Sequence, residues 1–74
     1  MTEQFEVIIL TSSGDFLLQE EAQLHREEKG VELEQPHVIN EEEKAHPVQA
    51  TEIFIPYSSV ENIQYGQFEH EIAE

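Results

Sequence analysis

The stretch from residue 51 to residue 68 holds the densest concentration of β-branched and aromatic residues in the chain. Ile53, Ile55 and Tyr57 recur at period two, a pattern typical of a half-buried strand. Pro56 has no backbone N–H to donate, so we expect it at an edge position or at the end of that strand. The Ser-Ser-Val-Glu sequence that follows has the chemistry of a capped single turn. The stretch therefore predicts a strand, a one-turn corner and a second strand.

The opening segment, residues 5 to 11, reads as a strand with apolar residues on both of its faces. One face carries Phe5, Val7 and Ile9, and the other carries Ile8 and Leu10. Two apolar faces indicate a strand that is covered on both sides, or one that is buried against a partner chain. Residues 12 to 15, Ser-Ser-Gly-Asp, have the composition of a tight turn, so we expect a hairpin with the next element.

Residues 16 to 29 support two different secondary structures. Strong helix formers fill the second half of the segment, Asp15 could cap a helix there, and Gly30 could end it. The preceding turn favours a strand instead, because a hairpin requires one. We predict a strand to about residue 25 and then a turn at 27–30. A helix over about 16–29, and hence an α+β fold, is the alternative.

Residues 31 to 39 predict the next strand. Val31 and Leu33 alternate with glutamates, so one face of this strand is apolar and the other is charged. The strand continues beyond Pro36, which implies an edge position or a bulge at the proline.

The length of 74 residues predicts one domain, 1–74, with an ordered core at about 5–68. Residues 40–49 carry three consecutive glutamates and no apolar period, which is typical of a solvated loop. The tail, residues 69–74, is expected to be frayed.

Charge is the extreme feature of the composition. The chain carries 17 acidic residues and three basic ones, for a formal net charge of −14. Nucleic acids and anionic membranes are bound through lysine and arginine, so we expect neither as a partner. The absence of cysteine removes disulfides, thiolate metal sites and cysteine catalysis. Neither a membrane span of about 20 apolar residues nor a basic signal region is present, which predicts a cytoplasmic location.

The order of the predicted elements is strand, turn, strand, strand, acidic loop, strand, one-turn corner and strand. The sequences Val7-Ile-Ile-Leu-Thr-Ser-Ser-Gly-Asp-Phe16 and Ile53-Phe-Ile-Pro-Tyr-Ser-Ser-Val-Glu-Asn-Ile63 carry this pattern. Over residues 5 to 65 the chain resembles the small β-barrels of the Sm-like family. The resemblance implies an all-β fold, a five-stranded barrel with a one-turn helical corner before the last strand. Sm-like proteins form rings by pairing their edge strands, so a homo-oligomer is also implied, whereas the RNA-contacting loop motifs of the family have no counterpart here.

Catalytic, cofactor and metal sites are not predicted. The four histidines, His25, His37, His46 and His70, lack the spacing of a helical two-histidine metal site. The serines and the aspartate lie in turns, where their side chains serve turn and cap geometry. A domain of this size also has little volume for a catalytic cleft, so we do not expect an enzyme.

An interaction surface is the functional prediction. Ile8, Leu10 and Phe54 fall opposite the period-two core residues, so we predict that they contact another chain. The chain would then be a non-catalytic protein-interaction or assembly module, with a protein partner or self-association into a homo-oligomer. One alternative is an acidic mimic of nucleic acid that occupies the basic groove of a DNA- or RNA-binding protein. Others are an Sm-like RNA binder, which the charge disfavours, and adaptation to a saline interior.

Overall fold

The computed structural model describes residues 1–73 and forms eight β-strands and two three-residue 3-10 turns. The strands are β1 (Thr2–Thr11), β2 (Gly14–Leu18), β3 (Leu24–Arg26), β4 (Gly30–Glu34), β5 (His37–Ile39), β6 (Ala45–Pro47), β7 (Glu52–Pro56) and β8 (Val60–Glu71). The 3-10 turns are Glu21–Gln23 and Tyr57–Ser59. The all-β class predicted from the sequence is therefore confirmed for these residues.

The strands form two antiparallel sheets. One has five strands in the order β6-β5-β2-β1-β8, and the other has three in the order β3-β4-β7. The predicted five-stranded closed barrel is wrong on both points, since residues 1–73 form eight strands and no closed barrel.

The strand count differs because two of the predicted strands are each broken in two and a further strand, β6, forms within the predicted acidic loop. The Glu21–Gln23 turn separates β2 from β3. Gln35, in the left-handed region at φ 46°, and the buried Pro36 separate β4 from β5. Residues 48 to 51 separate β6 from β7. Each break lets the chain leave one sheet and enter the other, as at the corners of orthogonally packed sheets.

The alternative helix over residues 16–29 is wrong. Leu17 and Leu18 are both buried in β2, which pairs with β1 and β5, and this packing overrides helix propensity. Only one turn of helix remains, where the side chain of Gln23 accepts a 2.8 Å hydrogen bond from the backbone N–H of Glu20. The strand predicted to about residue 25 is correspondingly interrupted at that turn.

The main core lies between the two sheets. Its buried members are Val7, Ile9, Leu18, Val31, Leu33 and Ile55. Strands β1 and β2 supply it from the five-stranded sheet, and β4 and β7 supply it from the three-stranded sheet. Because one face of β4 and of β7 contacts this core, apolar residues occur at every second position of these two strands.

A second apolar cluster covers the other face of β1. Its buried members are Phe5, Leu17 and Ala45, and the half-buried Ile8, Ile39 and Ile72 pack against them. The two apolar faces of β1 are thus both in contact with this same chain, one through each cluster.

The C-terminal end of the chain contributes to the second cluster. Strand β8 runs to Glu71, whereas the sequence predicts a frayed tail from residue 69. Ile72 then forms a parallel bridge with Ala45 of β6, and the backbone N–H of Ala73 donates to the Ala45 carbonyl at 2.8 Å. Burial of Ile72 against the cluster is the physical reason for this order. Glu74 lies outside the described residues.

Two local predictions are confirmed. Strands β1 and β2 form the hairpin, and Gly14 adopts φ 132° in its turn, a conformation that favours glycine. The one-turn corner forms at Tyr57–Ser59, directly before the last strand. The acidic loop is shorter than predicted, because Ala45 to Pro47 form β6. No helix in the described part of the chain has the length and apolar character needed to cross a membrane.

Candidate interaction surface

The three residues predicted to contact another chain are divided between the two sheets, with Ile8 and Leu10 in β1 and Phe54 in β7. Ile8 is half-buried in the second cluster, and Leu10 is half-buried between Asp15 of β2 and Asn62 of β8. Phe54 belongs to β7 of the three-stranded sheet and leaves 52% of its surface exposed. Phe54 is therefore the one of the three whose side chain is open to a partner.

The position of Phe54 depends on a glycine in the neighbouring strand. A Cβ atom added at Gly30 would lie 2.6 Å from Cζ of Phe54 and 2.8 Å from Cα of Pro56, and it would also overlap the Ile55 carbonyl oxygen. The aromatic ring thus lies across the backbone of β4 at a place where no other residue fits.

Strand β7 has an edge that no strand of residues 1–73 pairs with. It pairs with β4 on its other side, without a register shift. Two hydrogen bonds flank the β4–β7 pair, from Gln35 N to Thr51 O (2.8 Å) and from Tyr57 N to Lys29 O (3.0 Å). They show that the odd-numbered residues of β7 are the ones whose backbone groups bond to β4. In an antiparallel pair the intervening residues point their backbone groups the other way. The N–H and C=O groups of Glu52 and Phe54 therefore face the unpaired edge.

Pro56 is the next residue of β7 whose backbone faces the unpaired edge. Its missing N–H therefore removes no hydrogen bond between β4 and β7. A shallow, mostly apolar groove of about 220 Å³ runs beside this edge. Phe16 lines it from β2, and Ile53, Phe54 and Pro56 line it from β7. The edge thus combines free backbone groups with apolar side-chain contacts.

All three exposed aromatic side chains of the described residues contact one short segment, residues 26 to 30. The Tyr65 hydroxyl accepts a 2.6 Å hydrogen bond from Nη2 of Arg26, and the Tyr57 hydroxyl donates a 3.0 Å hydrogen bond to the Glu27 carbonyl. The ring of Phe54 lies against Gly30. We call this surface the aromatic patch; its members are Arg26, Lys29, Phe54, Tyr57 and Tyr65.

The two cations of the aromatic patch, Arg26 and Lys29, form no ion pair with a carboxylate of the described residues. Lys44 is within 3.8 Å of Glu42 and 3.9 Å of Glu71, but neither Arg26 nor Lys29 forms an ion pair among residues 1–73. The hydrogen bond with Tyr65 raises the pKa of Arg26 above its usual value, and Tyr57 contributes in the same direction. Arg26 is therefore associated with phenols rather than with carboxylates, although acidic residues greatly outnumber basic ones in the chain.

No protein-family model matches the chain. No curated protein and no solved structure matches it either.

The outer face of the three-stranded sheet is acidic. His25 lies 2.8 Å from Glu34 across the β3–β4 pair. Hydrogen bonding and charge repulsion from Glu52 raise the pKa of Glu32 above its usual value, with a smaller contribution from Glu27. Carboxylates on β4 and β7 are thus held close enough to oppose one another's ionisation.

The histidines do not converge on one site. The Phe5 ring makes edge contacts with His37 and His70, with centroids at 5.1 Å and 6.1 Å. Nδ1 of His37 is buried and has no hydrogen-bond partner, and burial lowers the pKa of this imidazole. Within the part of the chain that the structure describes, no group of three or more histidine and carboxylate side chains could hold a metal ion.

Proposed function

We propose that this protein is a non-catalytic assembly module that self-associates through its unpaired strand edges. The observation that carries the proposal is the unpaired edge of β7, where the backbone groups of Glu52 and Phe54 face outward beside an apolar groove. Free strand edges pair readily with strands of other chains.

The opposite edge needed for such a contact is β8. This strand is twelve residues long, ends the five-stranded sheet, and pairs with β1 on one side only. Pairing of β7 in one copy with β8 in the next would bury the free backbone groups and place apolar side chains in the groove. The sequence pattern of residues 5 to 65 resembles that of Sm-like proteins, which form rings by edge pairing, and this resemblance supports the same contact.

Charge sets the conditions under which copies can meet. Each carries a formal net charge of −14, and exposed glutamates such as Glu52, Glu61 and Glu69 lie on the two edges. Salt shortens the range of this repulsion, because the Debye length falls from about 30 Å at 0.01 M to about 8 Å at physiological ionic strength. Self-association should therefore increase with salt.

Sedimentation velocity at low, physiological and high salt tests the proposal. We expect the oligomeric fraction to rise with salt, and Glu52→Pro to reduce it by removing an edge N–H at the first residue of β7. The matched control is Glu52→Gln, which removes the same charge but keeps the N–H, and it should associate at least as well as the wild type. A strict monomer at high salt and high protein concentration would contradict the proposal.

A second candidate function is mimicry of nucleic acid. The crowding of Glu32 against Glu52 on the outer face of the three-stranded sheet favours it, because closely spaced anions resemble a phosphate backbone. The protein should then enrich basic nucleic-acid-binding proteins that elute with salt and that duplex DNA displaces. Enrichment of neutral partners that DNA does not displace would exclude this function.

A further inference from the structure

We infer that the aromatic patch is a two-fold self-contact, in which the patch of one copy lies against the same patch of a second copy. The inference rests on the self-association proposed above, but it assigns that association a second contact, which uses the exposed side chains of Phe54 and Tyr65 rather than the backbone edges of β7 and β8. A contact of this type is closed, because the same residues serve both copies.

Local charge balance selects a second copy as the occupant. Residues 26 to 29 read Arg-Glu-Glu-Lys, so this segment is neutral in a chain of net charge −14. Across a two-fold axis Arg26 of each copy can meet Glu28 of the other, which forms the same ion pair twice. Elsewhere the surface is dominated by glutamates, and a self-contact there would bring like charges together.

The unpaired state of the two cations supports this assignment. Arg26 and Lys29 make no ion pair with a carboxylate of their own chain among the described residues, even though Glu27 and Glu28 are their sequence neighbours. A strongly basic partner would be attracted to the acidic faces rather than to a segment that contains cations. A strongly acidic partner without a balanced segment would be repelled by the rest of the chain.

The side chains around the segment have the composition of an interface centre. Phe54, Tyr57 and Tyr65 are 52%, 41% and 47% exposed, and interfaces are enriched in tyrosine, phenylalanine and arginine. Their positions are also fixed before any contact forms. Tyr65 is held by Arg26, Tyr57 is held by the Glu27 carbonyl, and Phe54 lies on Gly30. Such preorganisation lowers the entropy lost on association.

Complementary charge variants test the contact. Arg26→Glu alone should weaken dimer formation at physiological salt by about tenfold, because the introduced carboxylate would face Glu28 at both ends of the contact. Glu28→Arg alone should weaken it by a similar factor, because two cations would then face each other at both ends. An equimolar mixture of the two variants should form a heterodimer, since each carboxylate then meets a guanidinium group.

Every species in this experiment also carries Glu52→Pro, which removes an edge N–H and leaves the aromatic patch intact. Three results together establish the two-fold contact. The Glu52→Pro protein forms dimers, each charge variant in that background loses them, and the mixture of the two variants recovers them. A mixture that stays as monomeric as its components overturns the inference. Edge pairing is decided separately, by the difference between Glu52→Gln and Glu52→Pro in the absence of the charge variants, so one proposal can fail while the other stands.

Discussion

The hydroxyl oxygen of Tyr65 in β8 accepts a 2.6 Å hydrogen bond from Nη2 of Arg26 in β3, across 39 residues of sequence. Strand β8 ends the five-stranded sheet and β3 ends the three-stranded sheet. This side-chain bond therefore joins the two sheets at a place where no strand pairing within residues 1–73 joins them.

Tyr65→Phe should lower the free energy of unfolding by about 0.5–1 kcal/mol, the value of a partly solvated hydrogen bond. The ring is retained, so the change isolates the hydroxyl. Urea unfolding measures the effect, and Arg26→Leu supplies the background control. In that background the tyrosine substitution should have almost no effect; equal losses in both backgrounds would show that the bond does not stabilise the fold.

Gly30→Ala should destabilise the protein by about 1–3 kcal/mol, because its Cβ would overlap backbone atoms of β7 and force the two strands apart. The matched control is Gly66→Ala, whose Cβ would meet only the side-chain ring of Phe68, at 3.2 Å. Thermal or urea unfolding of the two variants gives the comparison. If Gly66→Ala proves the more damaging change, the close approach at Gly30 is not a constraint.

Ile72→Ala should lower the free energy of unfolding by about 1–2 kcal/mol, less than for a fully buried isoleucine because Ile72 is half-buried. Glu69→Ala, an exposed change in the preceding strand, is the control and should have little effect. Indistinguishable unfolding midpoints for these two variants would support the frayed tail predicted from the sequence.

Acid sensitivity should depend on His37. Burial lowers the pKa of its imidazole, Glu3 opposes this, and His46 adds to it. Below about pH 6.5, the ordinary value, the unfolded chain takes up a proton that the folded chain resists, so stability falls until the pH passes the folded-state pKa.

Urea midpoints measured from pH 7.5 to pH 5 should therefore decline less in His37→Gln than in the wild type. The exposed His25 offers the control substitution, His25→Gln, which tests for a general effect of losing a histidine. A decline as steep in His37→Gln as in the wild type would remove His37 as its cause.

Glu32→Gln should stabilise the protein at neutral pH, because Glu52 raises the pKa of Glu32 and the ionised pair is unfavourable. The unfavourable term develops as pH rises above about 4.5, the unfolded-state value, and is absent below it. The gain in unfolding midpoint should thus disappear at low pH. Glu41→Gln, in the acidic loop, should give a smaller gain at neutral pH.

Local chemistry made part of this fold predictable. The turn before Asp15 and the corner after Pro56 follow from glycine, serine and proline at fixed positions, and period two identified Phe54 as an outward residue. The breaks that divide the strands are tertiary in origin. The left-handed conformation of Gln35, for example, lies at a change of sheet; Pro36 predicted an edge or a bulge there, but no glycine or asparagine marks the positive φ.

The aromatic patch could not be predicted for a different reason. Arg26, Tyr57 and Tyr65 are far apart in sequence, and no periodic pattern connects them. They meet because β3 and β8 end their respective sheets on the same side of the molecule. The signal available in the sequence was the neutral Arg-Glu-Glu-Lys run within an acidic chain.

Pro56 limits how far another strand can pair along the free edge of β7. Only Glu52 and Phe54 present an outward N–H along β7, so an added strand is anchored over two residues and then meets a position without a donor. Amyloid growth requires long, regular edges that every arriving chain can copy. The β7 edge is therefore too brief to serve as such a template, and any strand that adds there is confined to a short contact of defined register.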